Sequence, residues 1–434
     1  MSHLKLYLLT WNCGRAFIEE AAFAKHLFDG WHDPSADAAK LPDAIVLNLQ
    51  EIAPLSHAFL GGSFVKPYFD HFRKAVQLAS SAVQEEANYV NVISRNCGFT
   101  AMMLFVRDDL VDDVKSIQAA EVGVGLSQMG NKGAVGLRVG WEVPSADTAL
   151  YTTFVSAHLA AFEEEMERRN QDYKDIVAGL AFTGQDAREW RRAQTSDEQV
   201  PLLGGTSGDN GQAQSLGMYA DDTYVFVSGD LNYRTGMTGP AKEDVKHYPQ
   251  PTGDVKSATH FKHLLEKDQL AQQLHAGKTL HGLSEQKIDF APTYKLKLNV
   301  DKPVIHDNET QEWQWSTHRW PSWCDRILFS ATSTMQVVAG KYSSLPIFRT
   351  TDHRPVVLSA ALALKPVSNT GLSKLAPVAV NPDCLSIRST ARRRELATGL
   401  ASYLSTTYEG CALVLGTVLM VLGAVYIFKS MSTS

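Results

Sequence analysis

Seven short β-rich runs set the terms for this chain: AIVLNLQE (residues 44–51), TAMMLFVR (100–107), GAVGLRVGW (133–141), LYTTFVSAHL (150–159), YVFVSGDLN (224–232), WCDRILFS (323–330) and PVVLSAALAL (355–364). Several are apolar at nearly every position. A strand with one wet face alternates apolar and polar residues, so runs without alternation belong to strands covered on both faces. Helical patterns separate the runs. The N-terminal MSHLKLYLLTWN reads as a first strand and not as a signal peptide, because Trp11 and Asn12 arrive before any cleavage-site pattern forms. Two stacked sheets with outer helices follow, an α/β (α+β) fold class. At 434 residues, 44% hydrophobic and 20% charged, the chain has ordinary globular composition and room for one large domain or several smaller ones.

The formal net charge of −6 supplies no basic field to draw the chain to nucleic acid, so any anionic substrate must be held by local Lys and Arg. The five cysteines (Cys13, Cys97, Cys324, Cys384 and Cys411) form no CxxC pair. This argues against a disulfide framework or a structural zinc site and fits a reducing compartment.

Near the C-terminus, GCALVLGTVLMVLGAVYIF (410–428) is nineteen residues without a charge. At about 1.5 Å per helical residue it roughly spans a ~30 Å hydrocarbon core. A buried core helix needs partners on all sides, whereas this segment follows the Pro/Ser/Ala-rich KPVSNTGLSKLAPVAVNPDC (365–384). Residues 365–409 are therefore expected to be a linker, with a reach of roughly 35 to 40 Å if flexible, and 410–428 a transmembrane tail anchor. Arg392, Arg393 and Arg394 lie just upstream and place the bulk of the chain in the cytoplasm. Short length and three glycines suit a thin membrane such as the endoplasmic reticulum. A Gly/Ser/Gln-rich insert at 194–222 lacks periodicity and reads as a mobile loop.

In α/β proteins ligands collect at strand ends, where loops present side chains above a rigid sheet. Here the ends share a chemistry: Gln50 and Glu51, then His158, then Asp230 and Asn232, and finally Asp352 and His353 leading into the last strand. Singly each is unremarkable, since a lone Glu or His at a strand end is usually a solvated or satisfied group. Together, carboxylates, an amide and two imidazoles suit a hard, oxygen-ligated cation such as Mg²⁺, with groups that activate water and steady an anion.

These residues sit in blocks that carry a resemblance: TWNCG (10–14), LQE (49–51), SQMGNKGAVG (127–136), SAHLAAFEEEMERRNQDY (156–173), GDLNYR (229–234), APTYK (291–295), WPSWCDRIL (320–328) and TDHRPV (351–356). In this order, from about Leu6 to Leu364, they resemble the inositol polyphosphate 5-phosphatases, within the DNase-I-like superfamily of endonucleases, exonucleases and phosphatases. The resemblance implies a four-layer sandwich of two face-to-face sheets with outer helices, and a single catalytic domain over 1–364. It implies Mg²⁺ held by Glu51 with Asn12, and Asp230 orienting or deprotonating the attacking water. Asn232, His158 and His353 would bind phosphoryl oxygens, Asp325 would fix the tautomer of His353, and Asp352 would lie in the outer shell of the metal. The neighbouring ring phosphate falls to Arg168, Asn170, Tyr294 and Lys295, with Arg319 and Lys132 as further candidates. Gly229 would let the backbone pass close to the substrate.

Set beside this, Arg168 and Arg169 follow a Glu-rich stretch and also read as members of an exposed helix with i,i+4 ion pairs. Neither Cys13 nor Cys324 has the Gly/Arg-rich surroundings of a thiolate nucleophile, so both read as packed small residues. Two departures from the family pattern, no aromatic just before Gly229 and Thr351 where Ser is common, remove no catalytic group.

The implied activity is Mg²⁺-dependent removal of the 5-phosphate of phosphatidylinositol 4,5-bisphosphate at a cytoplasmic membrane face, with the lipid and the membrane as partners and no nucleic acid. The layout is similar to small tail-anchored fungal 5-phosphatases of the endoplasmic reticulum. The alternatives are a nuclease of the same superfamily, disfavoured by net acidity and the membrane span, and a non-catalytic membrane adaptor with this fold.

Overall fold

Most strands here pair antiparallel, but one central pair in each sheet is parallel, and that decides which strand ends collect together. The computed structural model describes residues 3–35, 39–144, 146–186, 217–298, 313–332, 335–348 and 350–432. Its strands are β1 (His3–Asn12), β2 (Ala44–Gln50), β3 (Tyr89–Cys97), β4 (Thr100–Arg107), β5 (Val114–Gly123), β6 (Gly133–Trp141), β7 (Leu150–His158), β8 (Thr183–Asp186), β9 (Thr223–Asp230), β10 (Leu283–Glu285), β11 (Asp325–Ser330), β12 (Val337–Ser344) and β13 (Val356–Ala363). One sheet runs β12-β13-β1-β2-β4-β3 and the other β10-β11-β9-β7-β6-β5-β8. The parallel pairs are β1 with β2 and β7 with β9.

The helices are α1 (Glu20–His26), α2 (Leu55–Leu60), α3 (Lys66–Val83), α4 (Met166–Gly179), α5 (Lys262–Leu265), α6 (Gln269–His275), α7 (Cys384–Thr406) and α8 (Tyr408–Ser432). Strand alternation sorts the apolar residues onto two faces. Leu6 and Leu8 of β1 meet Leu137, Phe154, Phe226 and Ile327 between the sheets. Tyr7, Leu9 and Trp11 turn outward onto Phe23 of α1 and Phe69, Phe72 and Val76 of α3. On the far side Val155, Val225 and Val227 face Tyr173, Ile176 and Val177 of α4. Helix, sheet, sheet and helix make four layers. The central strands are buried along nearly their whole length because each has a core on both faces.

The expected linker departs from this picture. Residues 384–406 form the 23-residue helix α7, docked on the domain with Ala391, Glu395 and Gly399 buried. Many of its contacts are ion pairs and bonds to backbone groups, which hydropathy does not show. Only Thr407 separates α7 from α8, which spans 25 residues and is long and apolar enough to cross a membrane. Of the insert expected at 194–222, residues 194–216 lie outside the described residues. Residues 217–222 lead into β9, with Met218 and Tyr219 buried.

Phe226 stacks on Phe154 with ring centroids 5.6 Å apart at the centre of the inter-sheet core. Truncating a buried aromatic removes its transfer energy and leaves a cavity. Phe226→Ala should therefore cost about 3 to 5 kcal/mol in denaturant unfolding, and a change within ~0.5 kcal/mol, the size usual for surface substitutions, would deny the ring this central place.

Candidate active site

The parallel pairs bring the carboxyl ends of β1, β2, β7 and β9 to one rim, and β11 and β13, antiparallel to their neighbours, begin there. Asn12 ends β1 opposite Gln50, with Glu51 next in the chain, and His158, Asp230 and Asp325 stand side by side in register. His353 lies three residues before β13. The rigid sheets therefore assemble these groups without any long loop.

Asp230 is the hub. Asn12 Nδ2 donates to its Oδ2 at 3.0 Å, and the same oxygen lies 3.4 Å from His158 Nε2 and 3.9 Å from His353 Nε2. Its other oxygen, Oδ1, is buried and has no hydrogen-bond partner among the described residues. His353 Nδ1 lies 2.9 Å from Asp325 Oδ2, and Thr293 Oγ1 donates to that oxygen at 2.6 Å. Lys132 Nζ contacts His158 Nε2, and Arg15 Nε donates to Glu51 Oε2 at 2.8 Å.

Charge is distributed unevenly across this cluster. Burial works against ionisation of Asp230, but the charge of His353 and the bond from His158 outweigh it and hold the carboxyl well below the usual range. Burial also works against the imidazolium of His353, but Asp325 and Asp230 outweigh it and raise the ring to about 9. His158 goes the other way, lowered by burial and by neighbouring Lys132. Lys132 itself is brought down to about 8, chiefly by burial. Burial raises Asp325. For Glu51 burial is overcome by His158 and Arg15, and its carboxyl is lowered. The two histidines thus differ in kind: the surroundings favour the charged, doubly protonated ring for His353 and the neutral ring, with a single N–H, for His158.

Glu51 and Asn232 both adopt left-handed backbone, at φ 48° and 57°. Such conformations cost about 1 to 3 kcal/mol and cluster where function fixes a side chain. Asn232 Nδ2 donates to Leu159 O at 3.1 Å and its Oδ1 accepts from Arg234, which leaves one N–H of the amide.

The ring-phosphate candidates divide. Tyr294 packs its ring on His353 with centroids 4.6 Å apart, and Lys295 pairs with Asp352. Arg168 is spent on Asp172 at 2.7 Å and on Val124 O at 2.8 Å, the helix-pairing alternative. Asn170 is buried away from the cluster, donating to Gln273 Oε1 at 3.0 Å and accepting from Tyr233 at 2.8 Å. Arg319 lies beside Phe162, with Nη1 3.8 Å from Glu163. Gly229 is required by the neighbouring strand: a Cβ there would fall 1.8 Å from Ala157 O. Cys13 and Cys324 are buried with thiols pushed up by burial, as packed residues would be.

Sequence reasoning gave no role to Arg15, Thr293 or Arg234. Arg234 is buried, bonds Asn232 and lies over the Tyr294 ring at 4.4 Å. Its place in GDLNYR was the available signal.

Asp230, Asp325 and His353 bring side-chain atoms within 4.8 Å of one another, but a charged His353 is a hydrogen-bond donor and not a ligand. The carboxylate oxygens of Asp230 and Asp325, with the oxygens of Glu51 and Asn12 at the adjacent ends of β2 and β1, are hard donors without a thiolate and fit an oxygen-seeking divalent cation.

An NMR titration should give His353 a midpoint near about 9, and Asp325→Asn should bring it back down. His353 binds its proton more tightly folded than unfolded. Its contribution to stability is therefore fully present below the ordinary ~6.5 and lost as pH rises through about 9. An unchanged midpoint in Asp325→Asn would show that Asp325 does not set the charge of the ring.

The model of Endonuclease/Exonuclease/phosphatase family 2 matches residues 9–359. A type II inositol 1,4,5-trisphosphate 5-phosphatase of Mus musculus is 29% identical over 324 residues, 74% of this chain and 26% of that protein. The polyphosphatidylinositol phosphatase INP53 of Saccharomyces cerevisiae is 28% identical over 330 residues, 75% of this chain and 24% of that protein. The chain therefore spans about a quarter of the length of these relatives. Among solved structures, the inositol polyphosphate 5-phosphatase domain of SPsynaptojanin, in complex with inositol (1,4)-bisphosphate and calcium ion, shares the fold. Its TM-score is 0.58 at 23% identity, covering 91% of this chain and 92% of that one. By its two sheets, its rim of acid, amide and imidazole, and a match over most of its length, the chain belongs to Endonuclease/Exonuclease/phosphatase family 2, among relatives that are inositol polyphosphate 5-phosphatases.

Proposed function

We propose that the protein is a Mg²⁺-dependent phosphoinositide phosphatase that removes the 5-phosphate of phosphatidylinositol 4,5-bisphosphate by direct attack of water, giving phosphatidylinositol 4-phosphate. The observation that carries this reading is Asp230: a buried carboxylate favoured in its ionised form, with one oxygen unpartnered among the described residues, set among two imidazoles and an amide in a chain whose relatives include inositol 5-phosphatases. The relatives' names supply the substrate class.

Asp230 Oδ1 accepts a hydrogen bond from the attacking water and fixes its direction. With its pKa held low the carboxylate is a weak base, so its main work is orientation. His353, charged and locked through Nδ1 by Asp325, presents Nε2–H to a phosphoryl oxygen, where negative charge grows in the transition state. Neutral His158 and the remaining N–H of Asn232 steady the other oxygens. Lys132, Tyr294 and Lys295 form the outer ring that receives a further phosphate, with point charges and a phenol suited to phosphate. Mg²⁺, held by Glu51 and Asn12, would supply Lewis-acid polarisation of the scissile phosphate, and Asp352, paired with Lys295, would act from its outer shell.

Helix α8 is read as the tail anchor, with the preceding arginines keeping the catalytic domain in the cytoplasm. The endoplasmic reticulum is the membrane that its short uncharged core fits best.

Asp230→Ala should lower phosphate release from vesicles of phosphatidylinositol 4,5-bisphosphate by about 10² to 10⁴-fold, the scale of losing a positioned acid–base group, and a chelator should abolish release by the unaltered protein. Release that persists at full rate in either case would remove Asp230 or the cation from the reaction. Above pH about 9 the rate should fall as His353 loses its proton.

A further inference from the structure

Helix α7 lies outside the residues that match the family model, yet it docks on segments that neighbour the candidate site in the chain, among them Gly130 and α2. Glu395 is fully buried and accepts the backbone N–H of Gly130 at 2.8 Å. Gly130 lies two residues before Lys132. Arg388 holds the same carboxylate at 2.6 Å and reaches Glu121 of β5 at 3.3 Å. Arg392 joins it at 3.3 Å and donates to Phe59 O and, at 2.8 Å, to Leu60 O of α2, a helix that begins four residues after Glu51. Arg394 donates to Ser127 O at 3.1 Å. Gly399 packs so closely that a Cβ would meet Phe59 Cβ at 2.9 Å, and Tyr403 closes the contact against His57 and Phe64.

Residues 388, 392, 395, 399 and 403 follow helical spacing, so one face of α7 is docked over about four turns. A buried carboxylate between two guanidiniums is costly to break from one side, because the remaining charges stay buried without it. The docked face ends at Tyr403, and the uncharged stretch of the membrane helix begins at Gly410. Those seven residues reach ~10 Å as helix and at most ~25 Å extended. A free chain over the expected linker, 365–409, could have stretched to about 150 Å.

We infer that α7 is a rigid strut, latched by Glu395, that holds the catalytic rim against the bilayer carrying α8, so that the protein acts on lipid in its own membrane and not in an apposed one. The substrate rests on the phosphoinositide reading above; the strut rests on the contacts of α7.

The test uses the full chain in phosphatidylcholine vesicles, with phosphatidylinositol 4,5-bisphosphate either in the protein-bearing vesicles or in protein-free vesicles tethered to them. Confinement to one surface raises effective concentration, and release from the protein's own vesicles should be at least about tenfold faster. Glu395→Ala, and separately a Gly/Ser insertion of roughly twenty residues after Thr407, should each shrink that ratio, which is independent of overall activity. The insertion lies outside the docked contacts and carries the comparison if Glu395→Ala does not fold. Equal release from the two populations by the unaltered chain overturns the inference. Amide hydrogen exchange gives a second readout that needs no activity: protection across residues 391–403 supports the strut, and exchange at unprotected rates overturns it. Free inositol 1,4,5-trisphosphate separates the two readings. If neither it nor the lipid is turned over, the phosphatase reading fails while exchange still decides the docking.

Discussion

Everything at the rim depends on keeping Asp230 ionised where water is nearly excluded. A carboxylate buried without partners would neutralise, because desolvation penalises the charged form. Here the charge survives because His353 carries a proton and His158 and Asn12 point hydrogen-bonding nitrogens at the same oxygen. His353 in turn keeps its proton because Asp325, also buried, faces its other nitrogen. Removing any one member shifts the charge of the rest, so the cluster titrates as a unit.

That unit requires strand ends that cannot wander. Asp325 and Asp230 are register partners across β11 and β9, and Asp230 and His158 across β9 and β7. A slip of one residue in either pair would turn a carboxylate to the opposite face of the sheet. The inter-sheet core prevents this, because the same slip would drive Phe226 and Phe154 out of it. The packing that defines the fold therefore also sets the distances at the site.

The central strands were legible in the sequence because burial on both faces leaves no alternation. Five others were not. The pattern of β12 mixes intermediate and exposed residues around a single buried Tyr342, and β5 is half-wet along most of its length. Such strands are held by backbone pairing to an already formed sheet, which sequence patterning does not record. Motif blocks located the rim residues but not the direction of their neighbours. Asn170 and Arg168 lie in the same block as His158, yet helix geometry turns Asn170 into the α6 interface and ties Arg168 to Asp172. The strut was hidden for another reason: its docking face relies largely on Arg, Glu and Gly, so composition suggested a linker.

The contrast between inner and outer rings has a further consequence. His353 and Asp230 compensate one another whether or not an anion is present. For Lys132 the compensation is incomplete: loss of solvent brings it to about 8, outweighing Asp230 and Glu51, which favour its charge, so that charge is sensitive to its surroundings near neutral pH. A phosphate in the outer ring would favour its ammonium form and reverse part of that depression. Lys132 lies two residues from Gly130, whose amide is bound by Glu395 of α7. Docking of α7 therefore fixes the backbone two residues from a cation whose charge is set by its surroundings, and would couple the proposed strut to that part of the rim.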